Sequence, residues 1–413
     1  MASDLSNAVR DLAREDFTEH FGHPEHTLPP DEHWARVRQA GTTLWLDTGD
    51  IDEATKLLTA EFSALTTNNT LLNAEIQKGI YDGFVGHAAT QIRRAKPGIS
   101  PEELALEISF VLNAKHGLRL VSLFDTRVSV ELHTALANDV EASIHYGRRY
   151  YAICPERFIV KIPFTAAGLL SARQLVQDGI PINFTLGFSA RQNYVIALFT
   201  NPNWVNVFMG RLNAFVADSK LGSGENVGEK ATLATQRALL QLRATGRSQS
   251  HLIGASMRGG AQVATLAGLD VFTMPPKVAA GYRQSPSANL SSQVGTDPPV
   301  AFDRDGFGAD TLWEIPEAFK ACVERLLEKD VAALTPHAIV EHFAASGFPD
   351  FLPAWPAEEI AMIGKDGKIP VYETWKQKLA GGQIGLDALM NMSALQSFVT
   401  DQAAPDNRVM SLL

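Results

Sequence analysis

Lys161 is the residue whose setting most directly suggests chemistry. It lies inside a short apolar run, Phe-Ile-Val-Lys-Ile-Pro at residues 158–163, which is typical of a buried strand. Burial disfavours the charged ammonium form, and an uncharged amine in a partly dry pocket is the nucleophile that condenses with a carbonyl group. The alternative is a strand-end lysine whose amine simply reaches solvent. The first interpretation predicts Schiff-base chemistry, and the rest of the chain decides between the two.

Eight short runs rich in β-branched or aromatic residues recur along the chain, separated by stretches with helical periodicity. The predicted strands span residues 42–47, 64–68, 128–132, 158–163, 182–187, 204–210, 251–256 and 271–275. Eight strands alternating with helices predict an α/β fold of the (β/α)₈ TIM-barrel class. In that fold the active site lies at the carboxyl ends of the strands.

Alternate positions along the predicted strands separate polar from apolar side chains. One phase is almost wholly apolar. The other contains Trp45, Asp47, Ser129, Glu131, Ile159, Lys161, Asn183, Thr185, Asn206, Phe208, Gly254 and Ser256. Because alternate side chains of a barrel strand point inward, the polar residues near the strand ends should converge on the interior.

The composition limits the partners. The 413 residues are 45% hydrophobic and 20% charged, as expected for a globular protein with a large core. With 46 acidic and 36 basic residues the formal net charge is −10, which argues against binding to nucleic acid or to an anionic membrane surface. Any anionic ligand must therefore be bound by locally placed arginines.

The two cysteines, Cys154 and Cys322, are far apart and lack metal-type spacing, which favours a reducing, cytoplasmic location. The chain has no apolar run of roughly 18 residues, the length expected of a membrane-spanning helix. Its first 19 residues mix acidic and basic side chains and do not predict a signal peptide.

Residues 285–310 are rich in Ser, Pro, Gly and Asp and lack periodicity, whereas helical patterns return from residue 311. We therefore predict a barrel with additional N-terminal helices over residues 1–290. Residues 291–413 would form a linker and a helical C-terminal extension packed on the barrel. Two roles stay open for this extension: covering the barrel mouth, or mediating assembly into a homo-oligomer.

Seven motifs occur in order on the predicted strands: Leu44-Trp45-Leu46-Asp47-Thr48, Thr66-Thr67-Asn68, Val130-Glu131, Lys161-Ile162-Pro163, Asn183-Phe184-Thr185-Leu186, Gly210-Arg211 and Gly254-Ala255-Ser256-Met257-Arg258. Over about residues 40–285 the chain resembles the transaldolase family. The resemblance implies a Schiff-base (β/α)₈ enzyme of the pentose phosphate pathway. Such an enzyme transfers a dihydroxyacetone unit from a ketose phosphate, sedoheptulose 7-phosphate or fructose 6-phosphate, to an aldose phosphate. It implies no metal and no organic cofactor.

The resemblance also implies catalytic roles. Lys161 would attack the C2 carbonyl of the ketose and hold the fragment as an imine. Asp47 would be the general acid and base that removes the C4 hydroxyl proton during carbon–carbon cleavage. Glu131 and Thr185 would hold a water molecule for the proton transfers of imine formation and hydrolysis.

Substrate-binding roles follow from the same resemblance. Asn68 and Asn183 would bind substrate hydroxyl groups, and Asn206 would lie near the terminal hydroxyl group of the donor. Arg211 and Arg258 match a phosphate clamp, for which the guanidinium fork is suited, and the Ser256 hydroxyl group would assist them. Together with Phe208, these residues complete the set predicted to bind the substrate.

Three positions bear on specificity. Asn69 replaces a proline that is usual in the family, which leaves the geometry of this loop open, and Asn206 replaces a serine that proline usually follows. Phe208 stands where the related fructose-6-phosphate aldolases carry a tyrosine whose hydroxyl group assists protonation of the enamine. Phenylalanine lacks that donor, which favours transfer over simple cleavage.

Two alternatives stay open. The first is a Schiff-base aldolase or transaldolase acting on an unusual anionic sugar, suggested by Asn69, Asn206 and the long extension. The second is a non-catalytic sugar-phosphate-binding barrel. A binding module has no need for a buried amine beside two acids, so the combination of Lys161 with Asp47 and Glu131 disfavours it.

Overall fold

The computed structural model describes residues 2–19, 21–287 and 289–413. Eight parallel strands close into a barrel in chain order, and this confirms the predicted (β/α)₈ fold. The strands are β1 (Thr43–Asp47), β2 (Phe62–Thr66), β3 (Arg127–Glu131), β4 (Phe158–Pro163), β5 (Ile182–Thr185), β6 (Trp204–Phe208), β7 (His251–Ala255) and β8 (Val271–Met274).

Helices precede the barrel and alternate with its strands. They are α1 (Ala2–Arg14), α2 (Glu32–Gln39), α3 (Ile51–Leu57), α4 (Asn69–Gln77), α5 (Asp82–Ala95), α6 (Pro101–Phe124), α7 (Val140–Ile153), α8 (Ala166–Gln177), α9 (Ala190–Phe199), α10 (Met209–Asp218), α11 (Val227–Ala244), α12 (Ala261–Thr265) and α13 (Pro276–Gln284). The additional N-terminal helices, α1 and α2, are as predicted. In the part of the chain that the structure describes, no helix combines the length and the apolar character needed to cross a membrane.

The second strand begins and ends two residues before the predicted range of 64–68, which is therefore wrong at both ends. β2 stops at Thr66, and Asn68 is instead the residue that caps α4. The Asn68 side chain accepts a hydrogen bond of 2.9 Å from the Leu71 N–H, which satisfies one of the free donors at the helix start. This cap holds Asn68 at the strand-to-helix turn, where active-site residues of barrels lie.

The barrel interior is divided into layers. Toward the amino ends of the strands the rings of Trp45 and Trp204 pack edge to face at 4.9 Å, although β1 and β6 are not neighbours. Polar side chains of several strands occupy the layers nearer the carboxyl ends. The apolar side chains of the opposite phase, such as Leu44 and Val130, are fully buried. They face the surrounding helices and form the core with them.

The C-terminal extension is helical, as the sequence indicates. Its elements are α14 (Glu317–Leu327), α15 (Pro336–Ala345), α16 (Ala357–Asp366), α17 (Tyr372–Ala380) and α18 (Leu386–Ser411), with 3₁₀ turns at Ala309–Leu312 and Val331–Ala333. A further 3₁₀ turn, Thr134–Leu136, follows β3. Residues 286–287 and 289–308 contain neither helix nor strand.

A buried ionic cluster fastens the start of α18 to the barrel. Arg191 of α9 makes hydrogen bonds of 2.7–2.8 Å with both carboxylate oxygens of Asp387 and one of 2.7 Å with Asp350. Ser189 donates a further hydrogen bond of 2.7 Å to Asp387. The position of Asp387 in the first turn of α18 also suits the helix dipole. The long helix α18, which packs on α4 and α6, is thus fixed relative to the barrel mouth.

Candidate active site

A cavity of about 300 Å³ opens at the carboxyl ends of the barrel strands. Nine residues predicted for the site line it: Asp47, Asn68, Lys161, Asn183, Asn206, Phe208, Arg211, Ser256 and Arg258. The other two predicted residues, Glu131 and Thr185, are buried behind the lining. The structure therefore gathers residues from separate strands into one place, as expected of an active site in this fold.

Lys161 does not reach bulk solvent, because it is only 4% exposed. Its Nζ lies 3.7 Å from Oε1 of Glu131, the residue paired with it across β3 and β4. Nζ also donates a hydrogen bond of 3.3 Å to the main-chain oxygen of Thr67. The amine is buried, as the sequence predicts, and Glu131 and Thr67 are its partners. Glu131 is close enough to exchange protons with groups bound at Nζ through one water molecule.

Glu131 is 3% exposed, and burial raises the pKa of its carboxyl group. The positive charge of Lys161 and a hydrogen bond from the Asn69 N–H oppose this rise in pKa, whereas Asp47 adds to it. The Asn69 N–H lies 3.3 Å from Oε2 of Glu131. A carboxyl group with a raised pKa beside an amine is suited to passing protons in both directions.

Asp47 lies at the end of β1, and burial raises its pKa as well. Lys161, Arg258 and a hydrogen bond of 2.7 Å from the Thr66 hydroxyl group oppose the rise in pKa. The Thr66 hydroxyl group is hydrogen-bonded in turn to that of Thr273 at 2.6 Å. Sequence reasoning assigned no role to either threonine, although Thr273 shares the inward phase of β8 and could have been found by the same alternation.

Amide side chains extend the polar surface across β5 and β6. Asn183 donates a hydrogen bond of 3.1 Å to Ser129, and Asn206 lies within 3.4 Å of Asn183. The Gly187 N–H donates to Asn206 at 3.3 Å. The amide of Asn206 is thereby fixed in orientation inside the cavity.

Thr185 is fully buried at the end of β5, two residues beyond Asn183 on the same face of the strand. Its hydroxyl group has no hydrogen-bond partner among the residues that the structure describes. A buried donor without a partner costs about 1–3 kcal/mol, so a position of this kind suits a group that bonds to water or to substrate.

Arg211 and Arg258 add positive charge to the cavity, which Lys161 and Lys368 also line. Burial, together with the charge of Arg258, lowers the pKa of Arg211 to about 10, and burial also lowers the pKa of Arg258. Within the described residues neither guanidinium group forms a salt bridge with a carboxylate. Both remain cationic at neutral pH, and a phosphate group would neutralise their mutual repulsion.

Close backbone packing brings the two arginine-bearing loops together. A Cβ atom on Gly210 would lie 2.1 Å from the main-chain oxygen of Ser256 and 2.9 Å from the Arg258 side chain, so no larger residue fits. Ser256 itself has a positive φ of 59°, which is unfavourable for a residue other than glycine and tends to occur at functional sites. This packing explains the glycine that precedes Arg211.

The C-terminal extension covers part of the cavity mouth, which was one of the two roles left open for it. The Phe398 ring of α18 lies 5.9 Å from Nζ of Lys161 and 5.6 Å from the guanidinium carbon of Arg211. Arg211 donates to the main-chain oxygen of Lys368 at 3.3 Å and lies 3.5 Å from the Ser397 hydroxyl group. The sequence carried no signal for these contacts, because a helical pattern does not reveal where its helix docks.

Across residues 2–19, 21–287 and 289–413, no group of three or more histidine, cysteine, aspartate or glutamate side chains is arranged to hold a metal ion.

Comparison with known proteins adds independent information. The family model described as Transaldolase/Fructose-6-phosphate aldolase matches residues 44–333. The transaldolase of Xanthomonas oryzae pv. oryzae is 28% identical over 286 residues, which cover 67% of this chain and 86% of that protein. The transaldolase of Xanthomonas campestris pv. campestris is 30% identical over 237 residues, 56% of this chain and 71% of that protein. A probable transaldolase of Dictyostelium discoideum is 27% identical over 289 residues, 66% of this chain and 87% of that protein.

The matched segment begins at the second residue of β1, includes the other seven strands and continues through the linker and α14. It therefore runs further toward the C-terminus than the resemblance inferred from the motifs, which ended near residue 285. The part of the extension that reaches the cavity, including Phe398, lies outside the match. The resemblance itself is confirmed: the chain belongs to the transaldolase/fructose-6-phosphate aldolase family of enzymes.

Proposed function

We propose that the protein is a cytoplasmic transaldolase of the pentose phosphate pathway. It would transfer a dihydroxyacetone unit from fructose 6-phosphate or sedoheptulose 7-phosphate to an aldose phosphate through an imine on Lys161. The observation that carries this proposal is a buried amine 3.7 Å from a carboxyl group, inside a cavity lined by two arginines that form no salt bridge with a carboxylate among the described residues. Family membership supports the same reaction.

The proposed reaction begins with attack of the Lys161 amine on the C2 carbonyl carbon of the donor. Glu131 takes a proton from the amine through a water molecule and returns one to the C2 hydroxyl group, which leaves as water to give the imine. Thr185 would orient the water molecule with its unpartnered hydroxyl group. Hydrolysis at the end of the cycle reverses these proton transfers.

Cleavage would then depend on Asp47. Its carboxylate accepts the proton of the C4 hydroxyl group, the C3–C4 bond breaks, and the bonding electrons move into the imine to form an enamine. Glyceraldehyde 3-phosphate leaves when fructose 6-phosphate is the donor. The enamine carbon then attacks the aldehyde of the acceptor, and Asp47 returns the proton to the new C4 oxygen.

The proposed boundary at about residue 290 separates two structural parts of the chain, and residues of both parts line the cavity. The barrel of residues 1–290 would supply the reacting groups, while the extension of residues 291–413 would narrow the cavity mouth with Phe398 and Lys368. Assembly into a homo-oligomer stays a prediction of its own.

A second candidate is transfer to or from another anionic sugar. The amide of Asn206 supports it, because this longer side chain lines the cavity at a position where the family usually has a shorter hydroxyl side chain. Comparing kcat/KM across ketose phosphates of different length distinguishes the two candidates. A preference for a donor other than fructose 6-phosphate and sedoheptulose 7-phosphate would support the second.

Acceptor dependence tests transfer against simple cleavage. We expect the purified protein to release little free dihydroxyacetone from fructose 6-phosphate alone and to turn over when erythrose 4-phosphate is added. The reason is that Phe208 offers no proton donor to the enamine. The centroid of its ring lies 5.8 Å from that of Phe188 and 6.4 Å from that of Phe398. Equal release with and without the acceptor would contradict the transferase proposal.

The variant Phe208→Tyr provides a matched comparison. It adds one hydroxyl group at this position, and we expect acceptor-independent release of dihydroxyacetone to rise by about tenfold, the effect of one hydrogen bond. Free dihydroxyacetone measured over time, with and without acceptor, gives the result.

The variant Arg258→Gln tests the phosphate clamp. Loss of a hydrogen bond to a charged group should raise the KM for fructose 6-phosphate by roughly 10- to 100-fold. It should have little effect on the KM for unphosphorylated fructose as donor. Arg38→Gln, an exposed substitution on α2, is the control. An equal change for both donors would show that Arg258 does not bind the phosphate group.

A further inference from the structure

Asn69 occupies an unusual position relative to Glu131. It is the first residue of α4, directly after the capping residue Asn68, and it is 2% exposed. Its main-chain N–H is one of the donors that a helix start leaves without an intrahelical acceptor. This N–H lies 3.3 Å from Oε2 of Glu131, while Oε1 of the same carboxylate faces the Lys161 amine at 3.7 Å.

The contact depends on the backbone of a residue other than proline. Proline has no N–H, so the proline that is usual at this position in the family cannot donate to Glu131. The local backbone would nevertheless accept proline, since the first position of a helix is the one that proline prefers. Asn68 has φ −154° and ψ 172°, an extended conformation that is also compatible with a following proline.

The side chain of Asn69 gives a second, separate observation. Its Nδ2 group is buried and has no hydrogen-bond partner among the described residues. A buried amide left without a partner costs free energy, and an apolar residue of similar size would avoid this cost. This cost is separate from the contact with Glu131, which needs only the main-chain N–H.

We propose that Asn69 is a positioning residue for Glu131: its main-chain N–H holds one carboxylate oxygen and so keeps the other directed at the Lys161 amine. The inference rests on the proposed function, because it assigns Glu131 the proton transfers of imine formation. A rotation of the carboxylate away from the N–H would remove Oε1 from the reach of Nζ. The side-chain amide plays no part in this contact.

The contact can be detected through the pKa of Glu131, which depends on the charged and titratable groups around this carboxyl group. Lys161 faces it from β4 and Asp47 from β1, and the Tyr150 hydroxyl group of α7 is also influenced by its charge. The Asn69 N–H lowers the pKa of Glu131 against the effect of burial. Removing the N–H therefore raises this pKa, and less of the carboxylate is ionised at any pH on the acidic side of the optimum.

Two variants separate the backbone from the side chain. Asn69→Pro removes the N–H, and we expect the acidic limb of the kcat profile to move to higher pH with a loss of about tenfold in kcat on that limb. Asn69→Ala keeps the N–H and should leave the acidic limb where it is in the wild type. Asn73→Ala, on the same helix, controls for loss of an asparagine side chain from α4.

Each outcome bears on the proposal. It is overturned if Asn69→Pro has the wild-type profile, or if Asn69→Ala moves the limb as far as Asn69→Pro does. If the proline variant does not fold, a shifted limb in Asn69→Ala would still overturn the proposal, because it would assign the effect to the side chain. Wild-type transfer with an unshifted Asn69→Pro profile would refute only this inference, whereas absence of wild-type transfer would refute the proposed function with it.

Discussion

Replacing Lys161 by methionine should abolish imine formation and lower the rate of transfer on the order of 10⁴-fold or more. The amine is the group that the proposed mechanism places in covalent contact with the substrate, whereas Lys368, the other lysine that lines the cavity, belongs to the C-terminal extension. Methionine is similar in length and is suited to a site of 4% exposure. Steady-state transfer from fructose 6-phosphate to erythrose 4-phosphate measures the loss.

Folding of the variant is a separate matter that the experiment has to control. The substitution removes the positive charge beside Glu131, whose pKa burial already raises, and the carboxyl group can then bind a proton rather than stay charged and unpaired. Thermal unfolding should confirm that the barrel is intact. Lys365→Met, at an exposed position of α16, is the matched control. Residual activity within tenfold of the wild type would show that another residue is the nucleophile.

Asp47→Asn should lower kcat by roughly 10² to 10⁴-fold, the usual contribution of a general acid or base. Asparagine has the shape of aspartate and keeps an oxygen that can accept the hydrogen bond from Thr66, but it cannot take the C4 hydroxyl proton. The imine should still form, because Lys161 and Glu131 are unchanged. The variant is therefore expected to stop after imine formation and before the carbon–carbon bond breaks.

The trapped species gives this prediction a qualitative readout. Borohydride reduction of Asp47→Asn with fructose 6-phosphate should yield an adduct with the mass of the intact hexose phosphate. The wild type should yield only the dihydroxyacetone fragment. Asp52→Asn, exposed on α3, should behave as the wild type does. A dihydroxyacetone-sized adduct on the Asp47 variant would show that another group removes the proton.

The fold and most of the site could be predicted from local features of the sequence. Alternation of polar and apolar side chains reveals which residues of a strand share a face. In a closed barrel, one of the two faces points to the interior. This alternation predicts the inward direction of Asp47, Lys161 and Asn183. The same rule applies to Thr273 on β8, which the predicted set lacks.

Other features depend on long-range geometry that no local pattern contains. The register that pairs Glu131 with Lys161 is set by the closed barrel as a whole, and the docking of Phe398 over the amine is set by the buried cluster of Arg191 and Asp387. The end of β2 was misplaced because capping of α4 by Asn68 competes with continuation of the strand. From the sequence, Asn69 indicates only that the conformational restraint of a proline is lost. In the structure, Asn69 also supplies a main-chain N–H donor to Glu131 that proline would lack.

Borohydride trapping of the wild-type protein tests the central claim most directly. The protein is reduced in the presence of fructose 6-phosphate, with and without erythrose 4-phosphate, and the site of modification is found by intact-mass and peptide analysis. The account predicts a dihydroxyacetone-sized adduct on Lys161 that disappears when the acceptor is supplied. Absence of an adduct with either fructose 6-phosphate or sedoheptulose 7-phosphate, or an adduct on a different lysine, would contradict it.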